Sequence, residues 1–483
     1  MTVSLGSIVG GVVRGGAETS PDLNPAQPDT HVAVVSLAGP EIAAEAVAAA
    51  AAAFAAWRDT PAPARGDVLR RAADLLDARA AEIGRDLASE EGKTLAEAVG
   101  ETKRAVAILR YFAGQTLEPD GETYASHTAQ TFLYARREPL GVVVAITPWN
   151  FPIAIPAWKI APALAFGNVV VWKPAEIVPL TASHFAVALY EAGLPPGALN
   201  LVLGRGSAVG DTLVAHPDVD AVTFTGSNAV GHAIQLKATE AGAKVQLELG
   251  GKNPAVVLAD ADLELAVEHV GRGAFLSAGQ KCTATSRVLV EAAVFDEFAQ
   301  RLSDLARTWP VGDPLDERTK VGPLASQAQL ETVTGYLELA AEESADVLAG
   351  GLDDRQGDGG YFLPPTVLAG LPATSRVVRE EIFGPVAALL PVGSYAEAVE
   401  LANDTPYGLT AAVFTRDLGR ALAFARDVRA GVVKINQESA GLEFHVPFGG
   451  MRDSSSGSRE QGKVARDFFT QWKTVYLDAE PPA

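Results

Sequence analysis

The sequence predicts an α/β protein made of two units, each with a sheet of mainly parallel strands covered by helices. Three observations indicate this fold class. An alanine-rich helical segment covers residues 40–114, an alternation of apolar strands and helices begins at Leu140, and a second alternation begins near Leu263. Such alternation is typical of parallel sheets joined by right-handed crossovers. A chain of 483 residues fits about two to three domains.

The alanine-rich segment is expected to form three or four helices, because its apolar residues recur at helical spacing. After it, short apolar runs predict the strands of the first unit, with 255–258 as the last: 142–146, 169–172, 200–203, 221–224 and 255–258. The strands expected in the second unit are 287–290, 386–390, 411–414 and 432–435. Two such units predict a ligand-binding cleft between them.

Two further runs, 131–134 and 474–477, have the pattern of exposed strands. We expect them to pair with each other as a protruding arm through which copies of the chain associate.

Composition and charge exclude several classes. The chain has 39 basic and 59 acidic residues, a net charge of −20, which argues against nucleic acid or an anionic membrane as the main partner. A single cysteine excludes an internal disulfide and cysteine-rich zinc or iron–sulfur sites, and no metal site is predicted.

The chain is expected to be soluble and cytoplasmic. Residues 1–16 lack the pattern of a signal peptide. Residues 139–158 carry no charge but are interrupted by prolines, which predicts a buried strand, a loop and a new helix instead of a membrane span.

Glycine turns follow two of the predicted strands and suggest a phosphate-binding edge. Gly204, Gly206 and Gly210 open one helix, and the segment 224–227 precedes another. Backbone N–H groups at a helix start bind phosphate, although a strand-to-helix turn requires glycine in any case. The segment 173–176 ends a third strand with a lysine and a carboxylate suited to a ribose, or to a plain surface ion pair.

The single cysteine, Cys282, lies in a polar, glycine-containing segment rather than in a core helix. The adjacent Lys281 is expected to favour the thiolate form. A carboxylate precedes a glycine pair at Glu248, and Asn150 lies in a proline-constrained loop. A buried cysteine is more often an inert core residue, so these flanks decide its interpretation.

Together these segments resemble the aldehyde dehydrogenase superfamily. The resemblance covers nearly the whole chain and includes the ordered motifs at 149–152, 173–176, 224–227, 248–254, 277–284, 381–385, 403–409 and 447–450. It implies a Rossmann-like NAD(P)-binding domain formed by 1–120 and 141–250 and an α/β catalytic domain at 251–435. It further implies a small β oligomerisation arm at 121–140 and 470–483, and a substrate-tunnel and return segment at 436–469.

The resemblance assigns roles to the catalytic candidates. Cys282 would be the nucleophile, Glu248 the general base, and the Asn150 amide with the Cys282 N–H the oxyanion hole. Glu460 and Lys159 match positions that relay protons, with an ordinary salt bridge as the alternative. Glu248 favours release of a free carboxylic acid over acyl transfer to coenzyme A.

The cofactor assignments also follow from the resemblance. Lys173 and Glu176 would meet the adenosine ribose, Ser227 the pyrophosphate, and Glu381 the nicotinamide ribose. Phe383 would pack near the nicotinamide ring, and Gln329 is expected beside its ribose. The remaining residues expected at the cofactor are Trp149, Gly206, Gly210, Phe224, Gly226 and Leu249. NAD is expected, since Glu176 would repel the 2′-phosphate of NADP, with NADP the alternative if Arg205 compensates that phosphate.

The segments 279–288 and 445–456 resemble the 2,5-dioxopentanoate (α-ketoglutaric semialdehyde) dehydrogenase branch. An acid semialdehyde is therefore the expected substrate, with Lys281 or His445 meeting its carboxylate. The expected tunnel walls are Ile153, Ile155, Trp158, Leu276, Leu442 and Phe448. Arg452 and Ser455 depart from the usual family ending, which has a lysine at the first position and a glycine near the second.

Alternatives remain open at this stage. They are a broad-specificity aliphatic or aromatic aldehyde dehydrogenase and, more remotely, a non-catalytic structural protein of the same fold. The resemblance and the two strand-like arm segments also imply a homodimer or homotetramer.

Overall fold

The structure, a computed structural model, describes residues 3–354 and 359–478. The end of the expected arm segment, 479–483, lies outside the described residues. The helices of the N-terminal half are Pro40–Asp59, Ala62–Ala78, Ala80–Glu91, Leu95–Gln115, Ala154–Ala165, Pro179–Glu191, Gly206–Val214 and Asn228–Glu240. Those of the C-terminal half are Leu263–Phe275, Phe295–Thr308, Gln327–Glu342, Arg376–Arg379, Tyr395–Asn403, Leu418–Asp427 and Ala465–Phe469. The alanine-rich segment thus forms four helices, as the spacing predicts.

An eight-stranded sheet forms the centre of the first unit. In spatial order its strands are Ser455–Ser456, Lys244–Glu248, Ala221–Thr225, Val142–Ile146, Val169–Lys173, Leu199–Leu201, Ser7–Val9 and Val12–Arg14. The five strands between residues 142 and 248 are parallel. The chain adds strands on one side of Val142–Ile146 and then returns to its other side, a reversal that leaves a crevice at the carboxyl ends of the strands.

A seven-stranded sheet forms the second unit. In order its strands are Asp346–Ala349, Thr366–Ala369, Val386–Val392, Thr285–Glu291, Asn253–Val257, Thr410–Phe414 and Val432–Ile435. All neighbours are parallel except the antiparallel edge strand Asp346–Ala349. Placing 255–258 in the first unit is therefore wrong, because this run pairs with strands on both sides in the second sheet. Lys244–Glu248, which the apolar pattern misses, takes the corresponding place in the first sheet.

The arm forms as the two exposed runs predict. Thr470–Asp478 pairs antiparallel with Thr131–Pro139 and sets Val475 opposite Tyr134, while Gly121–Tyr124 covers the other edge. A further three-stranded sheet near the N-terminus contains Val3–Leu5, Gln27–Leu37 and Glu18–Asn24.

Core packing explains why the strands are nearly continuous apolar runs. Along Thr285–Glu291, Val288 and Val290 face one apolar cluster, and Leu289 faces another on the opposite side of the sheet. A strand covered on both faces needs apolar residues at every position. The third and largest cluster joins the eight-stranded sheet to the N-terminal helices.

Helix Pro40–Asp59 is long and apolar enough to cross a membrane by length and composition, and it alone meets that test within the described ranges. Its Val47 and Trp57 are buried in the largest core cluster, and the Trp57 indole donates to the Leu164 carbonyl at 3.1 Å. A core helix of this kind passes the same test. The uncharged segment 139–158 forms the expected strand, loop and helix.

Candidate active site

Cys282 lies in a strained loop between the short 3-10 helix Leu276–Gly279 and the strand Thr285–Glu291. Ser277 and Ala278 have positive φ angles of 55° and 51°. Gly279 also has a positive φ, and a Cβ there would stand 2.0 Å from the Gly384 carbonyl oxygen. The glycine therefore lets the loop of Cys282 touch the loop that carries Glu381 and Phe383.

A buried asparagine, Asn253, fixes this loop by hydrogen bonds to its backbone. The Asn253 side-chain amide donates to the carbonyl oxygens of Cys282 at 2.7 Å and Ala284 at 2.9 Å. Its own oxygen accepts the Thr410 N–H at 3.0 Å. Asn253 thus ties the backbone of the cysteine to the neighbouring strand of the second sheet.

The electrostatic setting of Cys282 disfavours the thiolate. Burial raises the pKa of the thiol, and the charges of Glu248, Glu381 and Glu460 raise it further. The expectation that Lys281 favours the thiolate is outweighed, because desolvation and three carboxylates oppose its single charge. The thiol must therefore lose its proton to a base, or in response to a positive charge brought in by a ligand.

Asn150 contacts the same loop. Its side-chain amide donates to the Gln280 carbonyl at 3.0 Å, two residues before the cysteine. Its backbone carbonyl accepts from the Lys93 ammonium at 2.6 Å. The structure thus brings the expected oxyanion-hole amide to the expected nucleophile from 132 residues away in the sequence.

Glu248 ends its strand as a buried carboxylate near Cys282. One oxygen accepts the Ser455 hydroxyl at 2.5 Å, and the other, Oε1, has no partner among the described residues. Burial and the charge of Glu460 raise the pKa of Glu248, whereas the Ser455 hydrogen bond, Lys159 and Arg459 lower it. The result is a carboxyl group with a pKa well above its usual range, as a base working near neutral pH requires.

Glu460 and Lys159 form a buried ion pair behind Glu248. The second oxygen of Glu460 accepts the Trp158 indole N–H at 2.8 Å. Lys159 also donates to the Thr223 hydroxyl at 2.8 Å. The pair therefore lies in a connected polar network, and its charges act on Glu248 without a direct hydrogen bond in this structure.

A cleft of about 870 Å³ occupies the crevice at the carboxyl ends of the first sheet. Its lining includes most of the expected cofactor residues, namely Trp149, Lys173, Glu176, Gly206, Gly210, Phe224, Gly226 and Ser227. Two helix N-termini, at Gly206 and Asn228, begin at this cleft. Its size and phosphate-binding helix ends suit a dinucleotide.

The lysine and carboxylate of this cleft have different surroundings. Lys173 is buried, which lowers its pKa, and its ammonium donates to the Pro174 carbonyl at 3.0 Å. Glu176 is exposed and accepts the Gly206 N–H at 2.8 Å. Arg205 forms an exposed ion pair with Glu18 at 3.0 Å instead of facing the cleft alone.

The remaining cofactor candidates cluster between the cleft and Cys282. Glu381 accepts the Gly251 N–H at 3.0 Å, and burial raises its pKa to about 7. The rings of Phe383 and Trp149 meet edge-to-face at 5.4 Å. Gln329 donates to the Phe383 carbonyl at 2.9 Å and so braces this loop. Leu249 packs against Gly231, where an added Cβ would come within 2.4 Å of it.

Comparison with known proteins agrees with this geometry. The model of the aldehyde dehydrogenase family matches residues 12–475. The chain belongs to the aldehyde dehydrogenase family. It is an oxidoreductase that acts on aldehydes, as the motifs predict.

Individual relatives are similar over nearly their full length. The α-ketoglutaric semialdehyde dehydrogenase of Bacillus subtilis is 47% identical, over 94% of this chain and 93% of its own. The α-ketoglutarate semialdehyde dehydrogenase of Haloferax volcanii is 45% identical, over 95% of each chain. A crystal structure of betaine aldehyde dehydrogenase from Staphylococcus aureus with NAD+ has a TM-score of 0.95 at 35% identity, over 100% of this chain and 96% of that one.

The residues expected at the substrate tunnel of this aldehyde dehydrogenase differ in exposure. Ile153, Ile155, Trp158 and Phe448 are buried, and the Trp158 and Phe448 rings meet at 6.1 Å. Leu442 and His445 lie on the loop before Phe448, where His445 is exposed. The Trp158 and Phe448 rings thus lie in contact with each other beside Glu460.

The two cations proposed for a substrate carboxylate are not equally available. Lys281 is buried, and its ammonium donates to the Arg272 carbonyl at 3.0 Å. His445 stands beside Glu443, with 3.8 Å between its ring nitrogen and that carboxylate. Neither group is a buried cation lacking a partner.

The sequence predicted helix Leu95–Gln115, but not that this helix positions the loops of Cys282 and Asn150. From helix Leu95–Gln115, Glu97 accepts the Ser277 N–H at 2.8 Å and its hydroxyl at 2.9 Å, which ties it to the cysteine loop. One turn on, Glu101 accepts the N–H groups of Ile153 and Ala154 at 3.0 and 3.1 Å. Glu101 also binds the Lys93 ammonium at 2.5 Å.

The only local signal for this arrangement was a capping box. Thr94 and Glu97 cap the helix reciprocally, as the spacing T-x-x-E indicates. That Glu97 reaches Ser277 as well follows from tertiary packing alone. Asn253 and Ser455 stood within recognised motifs, but their contacts are readable only in the structure.

Proposed function

We propose that the protein oxidises an acid semialdehyde such as 2,5-dioxopentanoate to its carboxylic acid with NAD, through a covalent intermediate on Cys282. The observation that carries this proposal is the convergence of Cys282, Asn150 and Glu248 beside a dinucleotide-sized cleft. Support for the substrate class comes from two relatives, 47% and 45% identical, whose names give α-ketoglutaric semialdehyde as the substrate.

NAD is the cofactor that the cleft favours. Lys173 and Glu176 would hold the adenosine ribose, the helix start at Ser227 the pyrophosphate, and Glu381 the nicotinamide ribose. When bound, NAD supplies the acceptor for a hydride. Glu176 would repel the 2′-phosphate of NADP, and the similar S. aureus enzyme was crystallised with NAD+.

Cys282 begins the reaction by adding its sulfur to the aldehyde carbon, once its proton has been lost. The carbonyl oxygen becomes an oxyanion, which the Asn150 amide and the Cys282 N–H would stabilise. One such donor is worth about 2.7–4 kcal/mol in a comparable hydrolase. The oxyanion then re-forms the C=O bond as the hydride departs, and a thioester remains on Cys282.

Glu248 completes the reaction by hydrolysis. Its unpartnered oxygen Oε1 takes a proton from water while that water attacks the thioester carbon. The bond between the acyl carbon and the sulfur breaks, the carboxylic acid leaves, and Cys282 remains as a thiolate. Glu460 and Lys159 are proposed to pass the proton onward through the polar network that includes Thr223.

The substrate test compares kcat/KM for 2,5-dioxopentanoate, succinic semialdehyde and hexanal. We expect 2,5-dioxopentanoate to be preferred. Turnover of hexanal alone would favour the broad-specificity alternative. A burst of NADH from stoichiometric enzyme, absent in Cys282→Ser, distinguishes an enzyme from a structural protein, which would show no burst with any aldehyde.

The cofactor test compares NAD with NADP in the native protein and in Glu176→Gln. Removing the carboxylate charge should improve kcat/KM for NADP more than for NAD, because only NADP carries the 2′-phosphate. A native preference for NADP would contradict the proposed choice of NAD.

The arm is proposed to join copies of the chain into a homodimer or homotetramer. Phe132, Tyr476 and Leu477 are exposed on it, which leaves an apolar surface to be covered. Sedimentation should give a dimer or tetramer for the native protein and a smaller species for Leu477→Glu. A native monomer would refute the proposal.

The expected domain boundaries and a cytoplasmic location are likewise proposed. Limited proteolysis tests the boundaries, with cleavage expected near residues 120, 140, 250 and 435. Cell fractionation tests the location.

A further inference from the structure

We propose that Arg104 binds the carboxylate of the aldehyde substrate and so sets the preference for an acid semialdehyde. This inference rests on the proposed substrate class and deepens it. It concerns a residue outside every recognised motif of the sequence.

Arg104 lies on the face of helix Leu95–Gln115 that is turned toward the catalytic loops. Glu97, Glu101, Arg104 and Tyr111 follow one another at spacings of four, three and seven residues, which places them on one helix face. Glu97 and Glu101 bind the loops of Cys282 and Asn150. Tyr111 meets the Phe444 ring at 5.9 Å. Arg104 therefore lies between the oxyanion-hole loop and the loop that carries Leu442 and His445.

The Arg104 guanidinium is half-buried and has no hydrogen bond or ion pair to any residue within 3–354 and 359–478. Burial lowers its pKa, and the charges of Glu443 and Glu101 oppose that shift. Neither carboxylate comes within ion-pair distance. An arginine kept partly from water without a partner is suited to a ligand carboxylate, which it binds with two parallel hydrogen bonds.

The neighbouring cations are already engaged. Lys93 binds Glu101, Lys159 binds Glu460, and Lys281 donates to the Arg272 carbonyl.

In 2,5-dioxopentanoate the carboxylate carbon lies four bonds from the aldehyde carbon. The anion must therefore be held a short way out from Cys282, toward the tunnel mouth rather than beside the sulfur.

The test compares Arg104→Gln with Lys103→Gln, which removes the same charge from the exposed side of the same helix. For Arg104→Gln we expect KM for 2,5-dioxopentanoate to rise about 10- to 100-fold. A loss of this size is typical when hydrogen bonds to a charged group are removed. The kcat/KM for hexanal should stay within about twofold, because hexanal has no carboxylate. Arg104→Lys should fall between, and Lys103→Gln should match the native protein.

Glu443→Gln separates substrate binding from a structural role. If Arg104 serves the substrate, removing the competing charge of Glu443 should lower KM for the anionic aldehyde. If Arg104 serves only to balance Glu443, the two variants should be impaired alike and for both aldehydes, and that result would overturn the inference.

A second readout keeps this inference separate from the substrate proposal. Inhibition of hexanal oxidation by 2-oxoglutarate, the product expected from 2,5-dioxopentanoate, requires no turnover of the semialdehyde. Arg104→Gln should raise that inhibition constant by a similar factor. Should the native protein fail to oxidise 2,5-dioxopentanoate, the substrate proposal fails, while an unchanged inhibition constant in Arg104→Gln would reject the role of Arg104.

Discussion

The hydroxyl of Ser455 donates a 2.5 Å hydrogen bond to the carboxylate of Glu248 and accepts a 2.6 Å hydrogen bond from the Gly450 N–H. Because the amide occupies the acceptor side of the hydroxyl, its proton is directed to the carboxylate. Ser455 stands near a position that is usually glycine in the family ending. In this chain the hydrogen bond from Ser455 fixes the orientation of Glu248, the proposed general base, and favours its ionised form.

Ser455→Ala should therefore weaken Glu248 as a base. Losing a donor to the carboxylate raises the pKa of Glu248 further, so the low-pH limb of kcat moves to higher pH. At neutral pH, hydrolysis of the acyl-enzyme should slow about tenfold. The measurement is the pH profile of acyl-enzyme hydrolysis. Ser455→Thr keeps the hydroxyl and should preserve the native profile; identical shifts in both variants would contradict this role.

Alkylation of Cys282 should abolish oxidation with one label per chain, because the sequence contains a single cysteine. Since the surroundings raise the pKa of this thiol, labelling by iodoacetamide should be slow at neutral pH. Its rate should rise about tenfold per pH unit on the acidic side of the pKa. Mass spectrometry and residual activity measured on the same samples test this. Activity that survives full labelling would exclude Cys282 as the nucleophile.

Cofactor affinity should depend on the protonation of Glu381. Its pKa of about 7 means that the carboxylate is ionised above that pH and neutral below it. The ionised form is the stronger acceptor, because neither oxygen carries a proton and both share the negative charge. The Kd for NAD, followed by fluorescence quenching, should therefore increase as the pH falls from 8 to 6. Glu381→Gln should bind weakly at every pH and lose this dependence, whereas the same slope in the variant would assign it to another group.

Breaking the buried pair of Lys93 and Glu101 should destabilise the protein and misplace Asn150. Glu101→Gln leaves the Lys93 ammonium without its nearest charge, a loss of about 3–5 kcal/mol. A lowered Tm together with a lowered kcat is the expected result. Arg110→Gln is the matched control, because Arg110 lies on the same helix as Glu101 but forms only exposed pairs, with Asp74 and Asp77 of helix Ala62–Ala78. Such pairs contribute at most about 1 kcal/mol, and equal losses in the two variants would contradict the role of the buried pair.

Much of the fold follows from local patterns. Strands buried on both faces have to be apolar throughout, so Val142–Ile146 and Thr410–Phe414 stand out as short apolar runs. The strand Lys244–Glu248 does not, because its polar Lys244, Gln246 and Glu248 make contacts that exist only after folding. Gln246, for example, is buried and accepts the Thr223 hydroxyl at 3.0 Å. Its polar and apolar residues alternate, a pattern that differs from the continuous apolar runs by which the other strands were predicted.

The placement of 255–258 in the wrong sheet also arises because local patterns do not specify long-range contacts. An apolar run predicts a buried strand, but nothing within it specifies which sheet it joins. In the structure, Asn253 at the start of this strand binds the loop of Cys282 and the strand at Thr410, both of which belong to the second unit. The partners of a parallel strand are distant in the sequence, so pairing is a property of the whole domain.

The sequence by itself determined the family and the two α/β units, and it supplied the candidates for the reacting groups. These depend on residue types at ordered positions, and the thiol, carboxylate and amide are needed by the chemistry whatever their surroundings. Only the tertiary structure decided the surroundings that set the protonation states of those groups. Burial and neighbouring carboxylates, not Lys281, set the state of Cys282, and Ser455 sets that of Glu248. Only the tertiary structure shows that Arg104 has no partner, because folding decides which groups lie near its charge.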